Sequence, residues 1–229
     1  MAANIAQMRH AQDRQLPSIT EGNRGPTYDV KNALLECIEN LETGENFASF
    51  GKLTGFVDPE LFVPGVGPVA LPLIEEKARA LIQQCHQAPF GKGEQTIVDT
   101  SVRKTWELNE DQFEIQNPRW EDYIAQTLKA ALLGIGFDQE KSVHVRADLY
   151  KMLLYEGGAM FKPHKEYISL IPILSFPDTT SSSEKAPGMF GTLVICLPSR
   201  HDGGAVNLRH AKQAKVFRTD CENPSYLCW

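Results

Sequence analysis

Three segments of the chain carry apolar residues at the three- and four-residue spacing of an amphipathic helix. They span residues 30–41, 73–86 and 120–133, and we predict a helix at each. Residues 1–29 are polar and have no hydrophobic period. A segment of that composition cannot bury enough apolar surface to fold by itself, so we predict a flexible N-terminal tail over 1–29.

After residue 136 the pattern changes to that of strands. The sequence SVHVRADLYKMLLYE (142–156) alternates apolar and polar residues and then becomes almost wholly apolar, as a strand entering a core does. MFGTLVICLP, GGAVNLRH and AKVFRTD predict three more strands, the last two joined by a polar turn at 211–213. The Pro- and Gly-rich stretch 55–72 predicts turns with short extended pieces. Helices followed by strands indicate an α+β domain whose β half is a sandwich or barrel.

Composition narrows the class of protein. The chain has 229 residues, of which 42% are hydrophobic and 23% charged, as in an ordinary soluble globular protein. Its net charge of −6 argues against nucleic acid or an anionic membrane as the main partner. The sequence has neither a membrane-spanning apolar run nor a signal peptide, so we expect a cytoplasmic or nuclear location. Five scattered cysteines without a CxxC pair indicate reduced thiols.

One pair of residues suggests a metal site. His164 and Glu166 are two positions apart in FKPHKE. In an extended segment both side chains would point to the same side and reach one ion. An imidazole and a carboxylate, joined by a second histidine, form the facial triad of non-haem Fe(II) oxygenases. By itself this spacing is weak evidence, and the alternative is a chance pair on the surface.

The surrounding sequence resembles a known family. DLYKMLLYEGGAMFKPHK, EKAPGMFGTLVICLPSRHDGGAVNLRHAKQAKVF and the earlier APFGKGEQTIVDTSVRKTWEL resemble, in this order, Fe(II)/2-oxoglutarate-dependent dioxygenases of the prolyl 4-hydroxylase-like group, fungal branch. The resemblance covers residues 48–229. It implies a double-stranded β-helix (jelly-roll) core with outer helices. It also implies Fe(II), 2-oxoglutarate as co-substrate and ascorbate, with hydroxylation of a prolyl or other protein side chain or of a small metabolite.

The resemblance assigns roles to three residues. His164 matches the first iron ligand, and Glu166 stands where the family has Asp. Tyr155 matches a tyrosine that hydrogen-bonds 2-oxoglutarate in related enzymes. The alternative for Tyr155 is a core aromatic residue whose hydroxyl has a partner inside the protein.

Two departures from the family pattern weaken the expected activity. Residues 167–183 intervene where the family continues directly into EKAPGMFGTL. The family's distal iron-binding histidine and its basic partner for 2-oxoglutarate follow a strand like PSYLCW, and this chain stops at Trp229. We therefore expect residues 30–229 to form a truncated dioxygenase domain that lacks its C-terminal strands, in which His210 is a poor substitute for the missing ligand. The alternative is a non-catalytic remnant of the same fold that acts as a binding or scaffold protein.

The inserted segment 167–182 has its own hypothesis. It begins with the apolar YISLIPILSF, which would be an exposed patch or a lid over the site. It also fits a translated intron. Removal from the last base of a GAG codon for Glu166 to the second base of an AGC or AGT codon for Ser182 keeps the reading frame. The joined codon then encodes Asp, as in the family.

Overall fold

The computed structural model describes residues 7–10, 46–92, 95–136, 145–164, 189–210, 213–219 and 223–229. This part of the chain is a mixed α and β protein with many short strands, two α-helices and one 3₁₀ turn, Glu110–Gln112. The helices are α1 (Glu75–Ile82) and α2 (Trp120–Gly134). Neither of these two described helices is long and apolar enough to cross a membrane.

The strands are numbered in chain order. They are β1 (Gln7–His10), β2 (Ser49–Lys52), β3 (Leu61–Val63), β4 (Gly67–Pro68), β5 (His86–Gln87), β6 (Phe90–Lys92), β7 (Gln95–Ile97), β8 (Arg103–Lys104), β9 (Trp106–Asn109), β10 (Glu114–Ile115), β11 (Val145–Asp148), β12 (Lys151–Leu154), β13 (Met160–Phe161), β14 (Met189–Cys196), β15 (Val206–His210), β16 (Gln213–Phe217) and β17 (Ser225–Cys228).

The strands form small sheets in which every pair of named strands is antiparallel. The largest has the order β11-β1-β14-β17-β2. Two three-stranded sheets have the orders β12-β9-β5 and β10-β3-β4, and β13-β8, β15-β16 and β6-β7 are two-stranded. The coarse prediction, helices combined with antiparallel sheets, is therefore confirmed.

The helix predictions have different outcomes. The apolar spacing over 120–133 is confirmed by α2. The second predicted helix, 73–86, is shorter at both ends, because Leu73 forms a bridge with Ser199 and His86 begins β5. The helix predicted at 30–41 lies outside the described residues, as does most of the predicted tail 1–29. Within that tail, residues 7–10 form β1.

The strand predictions after residue 136 hold in most places. β14 and the paired strands β15 and β16 lie where the pattern places them. The single strand predicted over 142–156 is instead two strands, β11 and β12, which belong to different sheets. The expected order of helices before strands is wrong, because β2 to β10 already precede α2.

The main core cluster includes residues of both α2 and the β12-β9-β5 sheet. α2 buries Trp120, Ile124 and Leu128, which are spaced four residues apart and lie on one face of the helix. The sheet contributes Leu108, Met152 and Leu154, each at most 1% exposed. Since alternate residues of a strand point to opposite faces, Glu107, Lys151 and Leu153 lie on the other face of this sheet.

Candidate functional site

The two predicted metal ligands have different outcomes. His164 follows β13 and is exposed, with its Nδ1 atom 3.0 Å from the carbonyl oxygen of Lys162. Its ring stacks on Phe161, with the ring centroids 3.7 Å apart and the planes 16° from parallel. Glu166 lies outside the described residues. Within the part of the chain that the structure describes, no three His, Cys, Asp or Glu side chains form a group able to hold a metal ion.

The described residues therefore do not make a complete iron site. His164 is the one described candidate ligand, and no second imidazole or carboxylate in the described ranges lies with it in a metal-binding group. Tight binding needs several ligands fixed in one geometry. His210, considered as a substitute, is exposed at the end of β15, with its ring 5.6 Å from that of Phe47.

Tyr155, the predicted 2-oxoglutarate contact, directly follows β12. Its side chain lies near Arg103, Thr105 and Cys196. Burial raises the pKa of the Tyr155 hydroxyl, while the Arg103 guanidinium and the Thr105 side chain act in the opposite direction. The hydroxyl is therefore neutral at physiological pH, with the Thr105 side chain beside it. The structure places Tyr155 beside a cation that the sequence analysis did not single out.

That cation is Arg103, which connects Tyr155 to the strand before His164. β8 pairs with β13 so that Arg103 stands opposite Phe161, and the guanidinium carbon lies 4.6 Å from the centre of the Phe161 ring. The Arg103 side chain is 11% exposed, and one of its terminal nitrogens donates to the carbonyl oxygen of Pro89 at 2.6 Å. Its Nε atom is buried without a hydrogen-bond partner in the described structure. A planar guanidinium with an unused N–H group is suited to bind a carboxylate.

Glu107 is the centre of a charge cluster on the face of the β12-β9-β5 sheet that points away from Leu108, Met152 and Leu154. The side chain of Glu107 is 2% exposed, and the Nζ atom of Lys151 donates to its Oε1 atom at 2.8 Å. The Nε2 atom of His86 lies 3.2 Å from the same oxygen. Arg103 approaches Oε2 at 3.9 Å, which is too long for a hydrogen bond, and Oε2 has no partner in the described structure.

The cluster carries more positive than negative charge. Arg103 and Lys151 each add one positive charge, and Glu107 supplies the single carboxylate between them. The strand register explains why they meet: His86 and Leu153 stand directly opposite Glu107, and Lys151 is two residues from Leu153 on the same face. A small anion would neutralise the excess positive charge of such a buried group. It would also accept a hydrogen bond from the unused donor, so the group favours anion binding.

A cysteine next to this cluster is kept in the thiol form. Burial raises the pKa of Cys85 to about 11, and the negative charge of Glu107 adds to the shift. Thiolates are the reactive form of cysteine, so Cys85 is unreactive at neutral pH. The cysteines that the structure describes, Cys85, Cys196 and Cys228, are free thiols, as predicted. Cys37 lies outside the described residues.

Sequence reasoning missed Arg103, Glu107 and Lys151. The only signal was alternation in VRKTWELN, where Arg103, Thr105 and Glu107 occupy every second position. The same alternation describes a strand whose polar face is exposed to water. Burial of that face depends on chain segments distant in sequence. Comparison of the chain with protein-family models, with curated proteins and with solved structures gives no match.

Proposed function

We propose that this chain is a 2-oxoglutarate-binding protein of the Fe(II)/2-oxoglutarate dioxygenase type, with a jelly-roll core and an impaired hydroxylase site. Two lines of support are independent of each other. One is the sequence resemblance to prolyl 4-hydroxylase-like enzymes, and the other is the chemistry of the face that carries Tyr155 and Arg103. The substrate class is a prolyl or other protein side chain, or a small metabolite.

The observation that carries the proposal is the juxtaposition of Tyr155 with Arg103. 2-Oxoglutarate has two carboxylates, and a carboxylate is recognised by a charge-assisted pair with a guanidinium together with a neutral hydroxyl donor. Tyr155, directly after β12, and Arg103, on β8, supply those two groups, and the excess positive charge around Glu107 favours the same ligand. Arg103 would then supply, from the N-terminal side of the site, the positive charge that the family places on a later strand.

The proposal predicts that this chain binds iron poorly. His164 and Glu166 are the residues that would hold Fe(II), which in this class of enzyme supplies oxygen activation. The described residues do not provide a complete ligand set around His164, so we assign no step to the metal. This chain should bind 2-oxoglutarate through its own side chains and hold iron weakly.

A second candidate function follows from the exposure of His164. A protein that keeps the carboxylate-binding face but lacks a complete iron site would act as a binding or scaffold protein. The exposed imidazole, stacked on Phe161, favours this remnant over an active hydroxylase.

Anaerobic titration with Fe(II) and 2-oxoglutarate separates the two candidates. An active site would give a metal-to-ligand absorption band that requires both additions and is lost in His164→Ala. The control is His210→Ala, which removes another exposed histidine far along the chain and should leave the band unchanged.

The remnant would give no band but would still bind 2-oxoglutarate in a metal-free titration. A protein that shows neither the band nor metal-free binding would contradict the proposed function in both forms. A band that survives in His164→Ala would contradict the assignment of the iron ligand.

A further inference from the structure

The two carboxylate oxygens of Glu107 have different surroundings. Oε1 accepts from Lys151 and lies 3.2 Å from the Nε2 atom of His86, whose side chain is 45% exposed, so the cluster borders solvent on the β5 side. Oε2 is buried and has no hydrogen-bond partner among the described residues. A terminal nitrogen of Arg103 is 3.9 Å from Oε2, which is too far for a hydrogen bond. Because a buried charged acceptor without a donor is costly, a ligand that donates to Oε2 gains more there than it does in water.

Arg103 provides an unused group of the opposite kind. Its Nε atom is a buried donor without a partner in the part of the chain that the structure describes. The guanidinium is held in place by its bond to the Pro89 carbonyl oxygen and by the Phe161 ring beneath it. Positions 103 and 107 fall on one face of an extended segment, since both are odd-numbered in the alternation. An unused donor and an unused acceptor therefore belong to two side chains that approach within 3.9 Å.

A carboxylate alone satisfies only the Arg103 half of this pair. An ionised carboxylate and a carbonyl oxygen accept hydrogen bonds and donate none. Either group can accept from Arg103 Nε, but neither can donate to Oε2 of Glu107, and their oxygens would face its negative charge. A hydroxyl on the carbon next to the carboxylate can donate to Oε2 while the carboxylate accepts from Arg103. The pair therefore matches a ligand that accepts and donates at neighbouring atoms.

The charge of the cluster favours a hydroxyl over an ammonium as that donor. Arg103 and Lys151 carry two positive charges against the one negative charge of Glu107. A hydroxy acid brings a carboxylate without a cation, so it neutralises the excess. An amino acid also brings an ammonium group, which cancels the charge of one of its own carboxylates and lies near two other cations.

We propose that the carboxylate face selects 2-hydroxy acids over the corresponding 2-oxo acids, and that Glu107 is the residue that determines this specificity. The inference rests on the proposed function, because it assumes that a carboxylate binds at Arg103 and Tyr155. It adds the chemical class of the preferred ligand, which is an acid with a hydroxyl group beside its carboxylate. The hydroxyl donates to Oε2 of Glu107, and the carboxylate accepts from Arg103.

Titration of the metal-free chain with four five-carbon acids tests this preference. 2-Hydroxyglutarate, tried as each enantiomer, offers a hydroxyl donor; 2-oxoglutarate offers an acceptor; glutarate offers neither; and glutamate offers an ammonium. One enantiomer of 2-hydroxyglutarate should bind about 10- to 100-fold more tightly than 2-oxoglutarate or glutarate, as expected for one hydrogen bond to a buried charged group. Glutamate should bind more weakly than that enantiomer.

The outcomes separate this inference from the proposed function. If 2-oxoglutarate binds as tightly as 2-hydroxyglutarate or more tightly, the hydroxy-acid preference is wrong and the carboxylate site stands. If glutamate binds most tightly, the choice of a hydroxyl donor is wrong. If none of the four acids binds, the inference and the proposed function both fail.

Glu107→Gln tests whether Glu107 is the residue that distinguishes the ligands. The amide oxygen can keep the contact with Lys151, which places the amide nitrogen, a donor, where Oε2 was. The preference for 2-hydroxyglutarate over 2-oxoglutarate should fall below about twofold or reverse. A purely structural role of Glu107 would not change this ratio.

The matched control is Glu114→Gln, which removes the same charge from an exposed residue of β10 and should leave the ratio as in the wild-type protein. Circular dichroism verifies that both variants are folded. A folded Glu107→Gln variant with the wild-type ratio would overturn the assignment of Glu107. If that variant does not fold, the four-acid series on the wild-type chain still decides whether the preference exists.

Discussion

At the residue scale, Glu107 determines what the polar face of the β12-β9-β5 sheet, opposite its core face, can do. A fully buried carboxylate is tolerated only with partners, and Lys151 is the closest, at 2.8 Å. The attraction to Lys151 offsets the desolvation of both groups, so the pair adds little net stability, yet loss of one partner leaves the other buried and unpaired.

Lys151→Met should lower the free energy of unfolding by about 3–5 kcal/mol, because it removes the donor closest to the buried Glu107 carboxylate. The double variant Glu107→Leu/Lys151→Met should cost less than the sum of the two single changes. Urea denaturation of the four proteins in this cycle measures the difference.

The control is Arg79→Met, which removes the exposed helical ion pair of Arg79 with Glu75. That change should cost no more than about 0.5 kcal/mol. Additive effects at Glu107 and Lys151 would show that the two side chains do not stabilise each other.

At the element scale, α2 meets the edge strand β2 through a glycine. A Cβ atom on Gly134 would lie 2.8 Å from the Cβ atom of Ser49, and Ser49 is buried. Real Cβ atoms do not approach so closely, so the absence of a side chain at 134 sets how closely the helix end approaches the sheet.

Gly134→Ala should therefore destabilise the protein by about 1–3 kcal/mol, although alanine favours a helix by about 1 kcal/mol over glycine. Ser49→Gly removes the opposing Cβ atom and should restore part of the loss when the two changes are combined. Thermal or urea unfolding of both single variants and the double variant measures this coupling. If Gly134→Ala is stabilising by itself, helix and sheet are not in close contact at this point.

The sequence predicted elements better than it predicted their neighbours. α2 was predictable because a buried helical face repeats every three to four residues. The split of 142–156 into β11 and β12 was not, because periodicity describes one strand and says nothing about which sheet each half joins. The site followed the same rule. His164 and Tyr155 were predicted as site residues from the sequence and stay predictions, whereas Arg103 and Glu107 look like ordinary surface charges until segments distant in sequence bury them.

At the scale of the whole molecule, two features combine local and distant parts of the chain. The five-stranded sheet includes a strand from the N-terminal region, and the proposed carboxylate-binding face is built from β5, β8, β9 and β12 with Tyr155. The proposed function rests on the second feature alone. Loss of β1 and loss of the Arg103 guanidinium should therefore have separable effects, the first on sheet stability and the second on ligand affinity.

The most direct test of the account is calorimetric titration of the metal-free chain with 2-oxoglutarate. We expect one site per chain, with affinity reduced about 10- to 100-fold in Arg103→Gln, because a charge-assisted contact to a carboxylate contributes about 1.5–3 kcal/mol. Circular dichroism of the variant verifies that the fold is retained, and Tyr155→Phe should weaken binding by a smaller factor. Equal affinity of the wild-type protein and a folded Arg103→Gln variant, or no binding by either, would contradict a carboxylate site at Arg103 and Tyr155.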